Sequence, residues 1–340
     1  TALEVEAQDH EGGDDGDGGA IYANHTATVK LTEQPEGQAS EPGIIDHCSA
    51  TNGGGIYAAA SCDLNIAGGH IEDCSASENG GAICDNTSGR MIISGLTILG
   101  HKDLSAVTPN AQKGGGIYVG DGHLELTDSV IYNCTATAEG GAIYHIYDVS
   151  VNGPAPDTKE LILTRVTIDG HYDGFDENTV NAANGGAVFI YNGLNKQSND
   201  IVPGILVNGE SITYTELSKK SGPHMYIYGG SILDCTASGN GGAIYCNSPA
   251  VGKPTITIDQ GAVINGHEDL DASVWNSQGQ VDGADNNKGG GGIYFMRGTL
   301  EINGTAENEV QFLNCTAAHN GGAIFGLPRG YSSDEDGNTY

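Results

Sequence analysis

One five-residue string, Gly-Gly-(Ala/Gly)-(Ile/Val) followed by an aromatic residue or Cys, occurs nine times and constrains this chain more than any other feature. A string that returns at a nearly fixed interval implies a stacked supersecondary unit, whatever the local propensities are. Its aliphatic residue falls at Ile21, Ile56, Ile83, Ile117, Ile143, Val188, Ile244, Ile293 and Ile324. The residues that follow are Tyr22, Tyr57, Cys84, Tyr118, Tyr144, Phe189, Tyr245, Tyr294 and Phe325.

A second string precedes five of these copies and reads aliphatic or Phe, any residue, Asp/Asn/His, Cys, Ser/Thr, Ala, with its cysteine at Cys48, Cys74, Cys134, Cys235 and Cys315. Three further copies carry Gly-His-x-Asp instead, which puts His101, His171 and His267 on the repeat position of those cysteines. A third segment alternates apolar and polar residues, as in Leu64-Asn65-Ile66, Leu124-Glu125-Leu126 and Leu300-Glu301-Ile302. Alternation at period two marks strands rather than helices.

Three short strands per repeat, at a shortest interval of 26 residues between Cys48 and Cys74, match one turn of a three-sided coil. Each strand would pair in register with its copy about 4.8 Å away, so nine coils would span about 43 Å. The expected fold is therefore all-β, a right-handed parallel β-helix of about nine coils forming one domain over 1–340. The repeated Ile is the expected inward column, and its glycines allow a corner that a Cβ would obstruct. Long insertions at 175–183, 192–224 and 268–288 should be loops. Two of them follow a Gly-His-x-Asp copy, so that corner is expected to carry the decoration.

Charge narrows the partners. The 13 Lys and Arg stand against 44 Asp and Glu, a formal charge of −31, so DNA, RNA and anionic lipid are repelled and cations favoured. No apolar run reaches the 18 residues of a membrane helix. The start at Thr1 and the polar end from Tyr331 to Tyr340 read as a segment of a longer, processed surface protein.

The Gly-Gly-Ala-Ile copies, together with Phe312-Leu313-Asn314-Cys315, resemble the Gly-Gly-Ala-Ile and Phe-x-x-Asn repeats of chlamydial polymorphic outer-membrane proteins and of β-helix surface proteins of bacteria and archaea. In this chain Cys or His stands where that family has Asn. The resemblance implies secretion and display at the extracellular cell surface, often in adhesion. The expected role is a non-catalytic adhesin or stalk that presents corner loops, above all 192–224 and 268–288, to a host or matrix ligand, glycan or protein. The alternative is a carbohydrate-active β-helix enzyme, either a polysaccharide lyase or a glycoside hydrolase.

No catalytic or cofactor-binding residue is assigned from the sequence, and the metal ligands are left open. A hydrolase needs two carboxylates across one bond, whereas Gly-His-x-Asp recurs three times, as corner chemistry would. The acidic turns Asp14–Gly19 and Asp334–Asn338 offer the oxygen donors that calcium takes. Among the eight cysteines, adjacent coils bring together Cys48 with Cys74 and Cys62 with Cys84 as the pairs that could bridge. The aromatic column is expected to point outward as a self-stacking ladder, although the next residues, Asp85 and His145, are unusual for a core.

Overall fold

The computed structural model of the chain describes residues 16–24, 27–31, 43–59, 62–86, 89–101, 108–120, 122–147, 159–172, 181–192, 201–207, 210–213, 224–247, 254–266, 289–296, 298–317 and 320–327. These residues form strands and turns, with no α-helix among them. Each turn of the chain visits the same sheets in the same order. Sheet A holds nine strands, from Ile21–Asn24 to Ile324–Leu327, each beginning at the repeated Ile or Val. Sheet B holds eight, from Ala27–Lys30 to Thr299–Asn303, and sheet C eight, from Ile44–Asp46 to Gln311–Leu313. All neighbours in these sheets are parallel and come from successive coils, so the fold is a parallel β-helix. An antiparallel pair, Ile201–Val207 with Glu210–Thr213, belongs to the insertion between Asn192 and His224.

The register is strict: Ile21 faces Ile56, Ile56 faces Ile83, and Ile83 faces Ile117. Alternation decides burial, as in the strand Leu64–Ala67, where Leu64 and Ile66 are buried while Asn65 and Ala67 are half-buried. Inward residues from sheets A, B and C pack into one continuous core that runs through the coils. Each such Ile or Leu contributes about 1.5–3 kcal/mol by leaving water. The last described coil has a neighbour on one side only, and Ile302, inward like its partner Ile258, is 43% exposed there.

The coil has a fourth side that the sequence reading merges into the third. The string from aliphatic residue to Ala is two strands with a corner between them. Its front half lies in sheet C, and from the Ser or Ala after the cysteine it enters sheet D as Ser49–Asn52, Ser75–Asn79 and Ala136–Glu139, which Ala111–Lys113 joins after the first Gly-His-x-Asp copy. The corner residue just before each cysteine, His47, Asp73, Asn133, Asp234 or Asn314, has φ between 47° and 55°. Asn, Asp and His are the side chains that best tolerate this left-handed region. In later coils the fourth side shrinks to single bridges such as Ala182 with Ala237.

The paired glycines have separate duties. Gly114 turns the corner at φ 61°, and a Cβ on Gly115 would run into the Gly141 carbonyl oxygen of the next coil. The first glycine therefore serves the bend and the second serves close stacking. Of the expected insertions, 268–288 and the first residues of 175–183 lie outside the described residues, and 181–183 belongs to the coil, where Asn181 and Ala182 meet Thr236 and Ala183 meets Ala138. The decoration is not confined to the corner after Gly-His-x-Asp, because 192–224 leaves between sheets A and B.

Candidate functional site

The cysteine column points into the core. Cys74, Cys134 and Cys235 are buried within it, and Cys48 and Cys315 pack against it. Their thiols donate to nearby carbonyls, Cys74 Sγ to Glu72 O at 3.3 Å and Cys235 Sγ to Leu233 O at 3.1 Å. All eight cysteines are unbridged. Cys48 and Cys74 are neighbours without a bond, while Cys62 lies in the main core and Cys84 in the aromatic column, so the second pair is separated. Burial pushes the Cys74, Cys134 and Cys246 thiols up to about 12, so they are protonated fillers rather than nucleophiles.

The histidines of Gly-His-x-Asp follow the repeat position but take a different part. Gly100 and Gly170 are absent from the positive-φ residues, so the chain leaves the stack there without the left-handed corner. His101 Nε2 lies 3.0 Å from Thr135 Oγ1, and His171 Nδ1 sits against the Asp234 carbonyl of the next coil. Burial lowers the His101 value, with Asp73 opposing it. His267 lies outside the described residues.

Where the excursion returns, a buried asparagine completes the coil. Asn110 Nδ2 donates to Gly100 O at 2.7 Å and Cys74 O at 3.3 Å, and its Oδ1 accepts from Thr135 N at 2.9 Å. Asn181 repeats this, with Gly170 O at 3.1 Å, Cys134 O at 3.5 Å and Thr236 N at 2.8 Å. A Cβ on Gly100 would strike the Asn133 carbonyl oxygen and Asn110 Oδ1, and one on Gly170 would strike Asn181 Oδ1 and the Asp234 carbonyl oxygen, which accounts for these two glycines. The first two Gly-His-x-Asp copies thus mark where the chain leaves the coil, and the asparagines mark where it re-enters.

The aromatic column is a ladder. Tyr118, Tyr144, Phe189, Tyr245 and Tyr294 stack at centroid spacings of 4.8–5.2 Å across each contact that continues the run. These rings are buried, while Tyr22 at the first coil is 58% exposed and Cys84 interrupts the run. With the rings on the outer face of sheet A, Asp85 and His145 point inward, and both are fully buried. His145 Nε2 donates to Gly122 O at 3.0 Å, which leaves Nδ1 as a lone-pair nitrogen with no hydrogen-bond partner among the described residues. Burial lowers this histidine to about 4, with His123 and Lys159 adding to the effect and the Gly122 carbonyl opposing it. Lys159 is itself buried, with its Nζ 6.0 Å from the Tyr147 ring centroid.

Among the described residues, one group of donor atoms converges. Asp46, His47 and Asp73 lie at the corner between sheets C and D, with all three donors within 4.8 Å of one another. His47 Nδ1 is 2.8 Å from Asp46 Oδ1, and its Nε2 is 3.7 Å from Asp73 Oδ2. An imidazole with two carboxylates suits zinc or manganese better than calcium, which takes oxygen. Of the two acidic turns expected to take calcium, Asp334–Asn338 and the first residues of Asp14–Gly19 lie outside the described residues. Asp17 Oδ1 accepts from Asn52 Nδ2 at 3.0 Å, the start of a column that continues with Asn79 Nδ2 donating to Asn52 Oδ1.

Sequence reasoning passed over Asn110, Asn181, the Asp46–His47–Asp73 group and the strand His224–Tyr228. For the asparagines a signal existed: Asn110-Ala111-x-x-Gly-Gly and Asn181-Ala182-x-x-Gly-Gly each follow a Gly-His-x-Asp copy. The strand had one too, since Met225-Tyr226-Ile227 alternates at the expected offset before its Cys string. No protein-family model, curated protein or solved structure matches the chain.

Proposed function

We propose that the chain is an extracellular, cell-surface β-helix module that binds a host or matrix ligand through loops carried at its corners, and that it does not act as an enzyme. One observation carries this reading. The longest insertion with both ends described is held by strands in register on each side: Asn192 at its start faces Tyr147 of the previous coil, and His224 at its end lies between Glu160 and Thr255. A loop of this length clamped at both ends by a stack of parallel sheets is an arrangement for displaying a binding surface on a rigid body. The recurrence of the polar motifs supports binding over chemistry, since the described residues Gly100, His101, Gly170 and His171 and the asparagines Asn110 and Asn181 are held in contacts that shape the coil. The resemblance of the Gly-Gly-Ala-Ile repeats to those of surface proteins agrees with it.

The test incubates the full chain, with and without calcium, with immobilised glycans and matrix proteins, and records both retention and release of reducing or unsaturated ends. Retention without release, lost when 196–220 is replaced by a Gly-Ser linker, is the expected result. Product release abolished by substituting a single carboxylate would overturn the reading in favour of a polysaccharide lyase or hydrolase.

A further inference from the structure

The solvent face of sheet B changes character at one coil. Along the strand His224–Tyr228 the inward residues are Met225 and Ile227, so His224, Tyr226 and Tyr228 stand together on the outer face, half-buried. Their rings form a file, His224 to Tyr226 at 6.4 Å and 25°, Tyr226 to Tyr228 at 5.8 Å and 16°. No other coil places three rings on this face among the described residues, the equivalent positions being Glu160, Ile162 and Thr164 on one side and Thr255, Thr257 and Asp259 on the other.

Carboxylates surround the file. Glu160 is in register with His224, Asp259 is in register with Tyr228, and Glu301 follows one strand beyond Thr257. Elsewhere on the stack, exposed acids meet the few cations, as Glu125 meets Arg90 at 3.2 Å and Asp128 meets Arg165 at 2.6 Å. Glu160, Asp259 and Glu301 enter no ion pair among the described residues. The tyrosine hydroxyls register the resulting negative field: both are raised, first by burial and then by these carboxylates.

We propose that this face of sheet B, centred on Tyr226 and Tyr228 and rimmed by Glu160, Asp259 and Glu301, docks an extended polypeptide segment bearing Lys or Arg at alternate positions. Charge selects the occupant: a cation gains from each of these carboxylates and from the ring faces, and an anionic lipid or nucleic acid is repelled by a chain of net charge −31. Spacing selects its conformation. Alternate side chains of an extended strand recur every 6.6–6.8 Å or so, close to the separations in the ring file. The ring file and its carboxylates lie on strands of sheet B, with His224 also ending the 192–224 insertion, so the variants below alter strand residues alone and leave that loop intact.

The test is titration of the full chain with a labelled peptide of alternating Lys and Thr, followed by fluorescence anisotropy, beside a peptide in which Gln replaces Lys. Binding of the Lys peptide is expected to weaken about tenfold in the Tyr226→Ala/Tyr228→Ala variant and by a comparable factor in Glu160→Gln/Asp259→Asn, with a shallower salt dependence in the second. Tyr226→Phe/Tyr228→Phe keeps the rings and should bind as the unaltered chain does. The control Glu72→Gln/Glu78→Gln removes the same charge on another part of the stack and should change nothing. An equal loss in the control would overturn the proposal, because the attraction would then be the general field of the chain. So would equal affinity for the Gln peptide or a neutral oligosaccharide, since the face would then recognise rings without charge.

Discussion

Asn110 donates its Nδ2 to the carbonyl oxygen of Gly100, 2.7 Å away, and so closes a ten-residue departure from the stack with a single side chain. The same amide accepts from the Thr135 backbone and donates to the Cys74 carbonyl, tying three coils together from inside the corner. Substituting Ala leaves two buried carbonyls and a buried N–H without this partner. Asn110→Ala and Asn181→Ala are each expected to cost about 2–4 kcal/mol, read as a lower urea midpoint. Asn110→Asp should fare little better, because it supplies no donor for Gly100. An unchanged midpoint would mean that water replaces the amide at no cost.

The buried imidazole at His145 makes stability depend on pH in a defined direction. Its folded value is about 4, below the ordinary value near 6.5. Between these limits the unfolded chain takes up a proton that the folded chain refuses, so this group's contribution is intact above pH 6.5 and is lost as pH falls toward 4. The total is about 3 kcal/mol. His145→Leu sits in a column with Val119 and Ile190. Denaturation midpoints of the two proteins should therefore converge or cross in favour of the variant between pH 6.5 and 4. Parallel pH profiles would contradict the assignment.

Thiol reactivity should sort by burial. Cys134, Cys235 and Cys246 are buried with raised values, and Cys48 is only half-buried. In native protein a thiol reagent should modify Cys48 and the similarly half-buried Cys315 first and leave the six buried cysteines untouched until denaturant is added, when all eight should react. Mass spectrometry after partial labelling decides this, and a missing pair of reactive thiols after denaturation would reveal a disulfide.

The ladder should be worth most at its centre. Tyr144 stacks on Tyr118 at 5.2 Å and on Phe189 at 5.1 Å, and Lys113 Nζ lies 5.1 Å from its centroid. Tyr144→Ala is expected to cost about 3–5 kcal/mol, as for other large buried rings. Tyr22→Ala, at the exposed end with one ring neighbour, should cost under about 1 kcal/mol. Equal costs at the two positions would show that stacking order contributes nothing beyond local burial.

The columns were legible because the physics that makes them is local and repeated. Gly114 must bend, Gly115 must let the Gly141 carbonyl approach, and Ile117 must face the core, so the same letters return in each coil. The fourth side was hidden because apolar and polar letters alternate through the corner without interruption. Only the left-handed preference of Asp73, Asn133 and their equivalents marks the break. Strands led by Met91 and Met225 were passed over because Met is not a strong strand former, although both are fully buried. Features confined to one coil, such as the file from His224 to Tyr228 or the meeting of His47 with Asp73, carry no periodic signal. They exist only once the register puts neighbouring coils side by side.

Strict register also governs how such a chain can change in length. Ile143 stands over Ile117 exactly as Ile117 stands over Ile83, so removing 117–142 would set Ile143 on Ile83 with like still facing like. Duplication or loss of genetic material in whole-coil steps therefore needs no new contacts, whereas a gain or loss of one residue inside a strand reverses every side chain after it. The coil, rather than the residue, is the unit in which this molecule can be inherited longer or shorter.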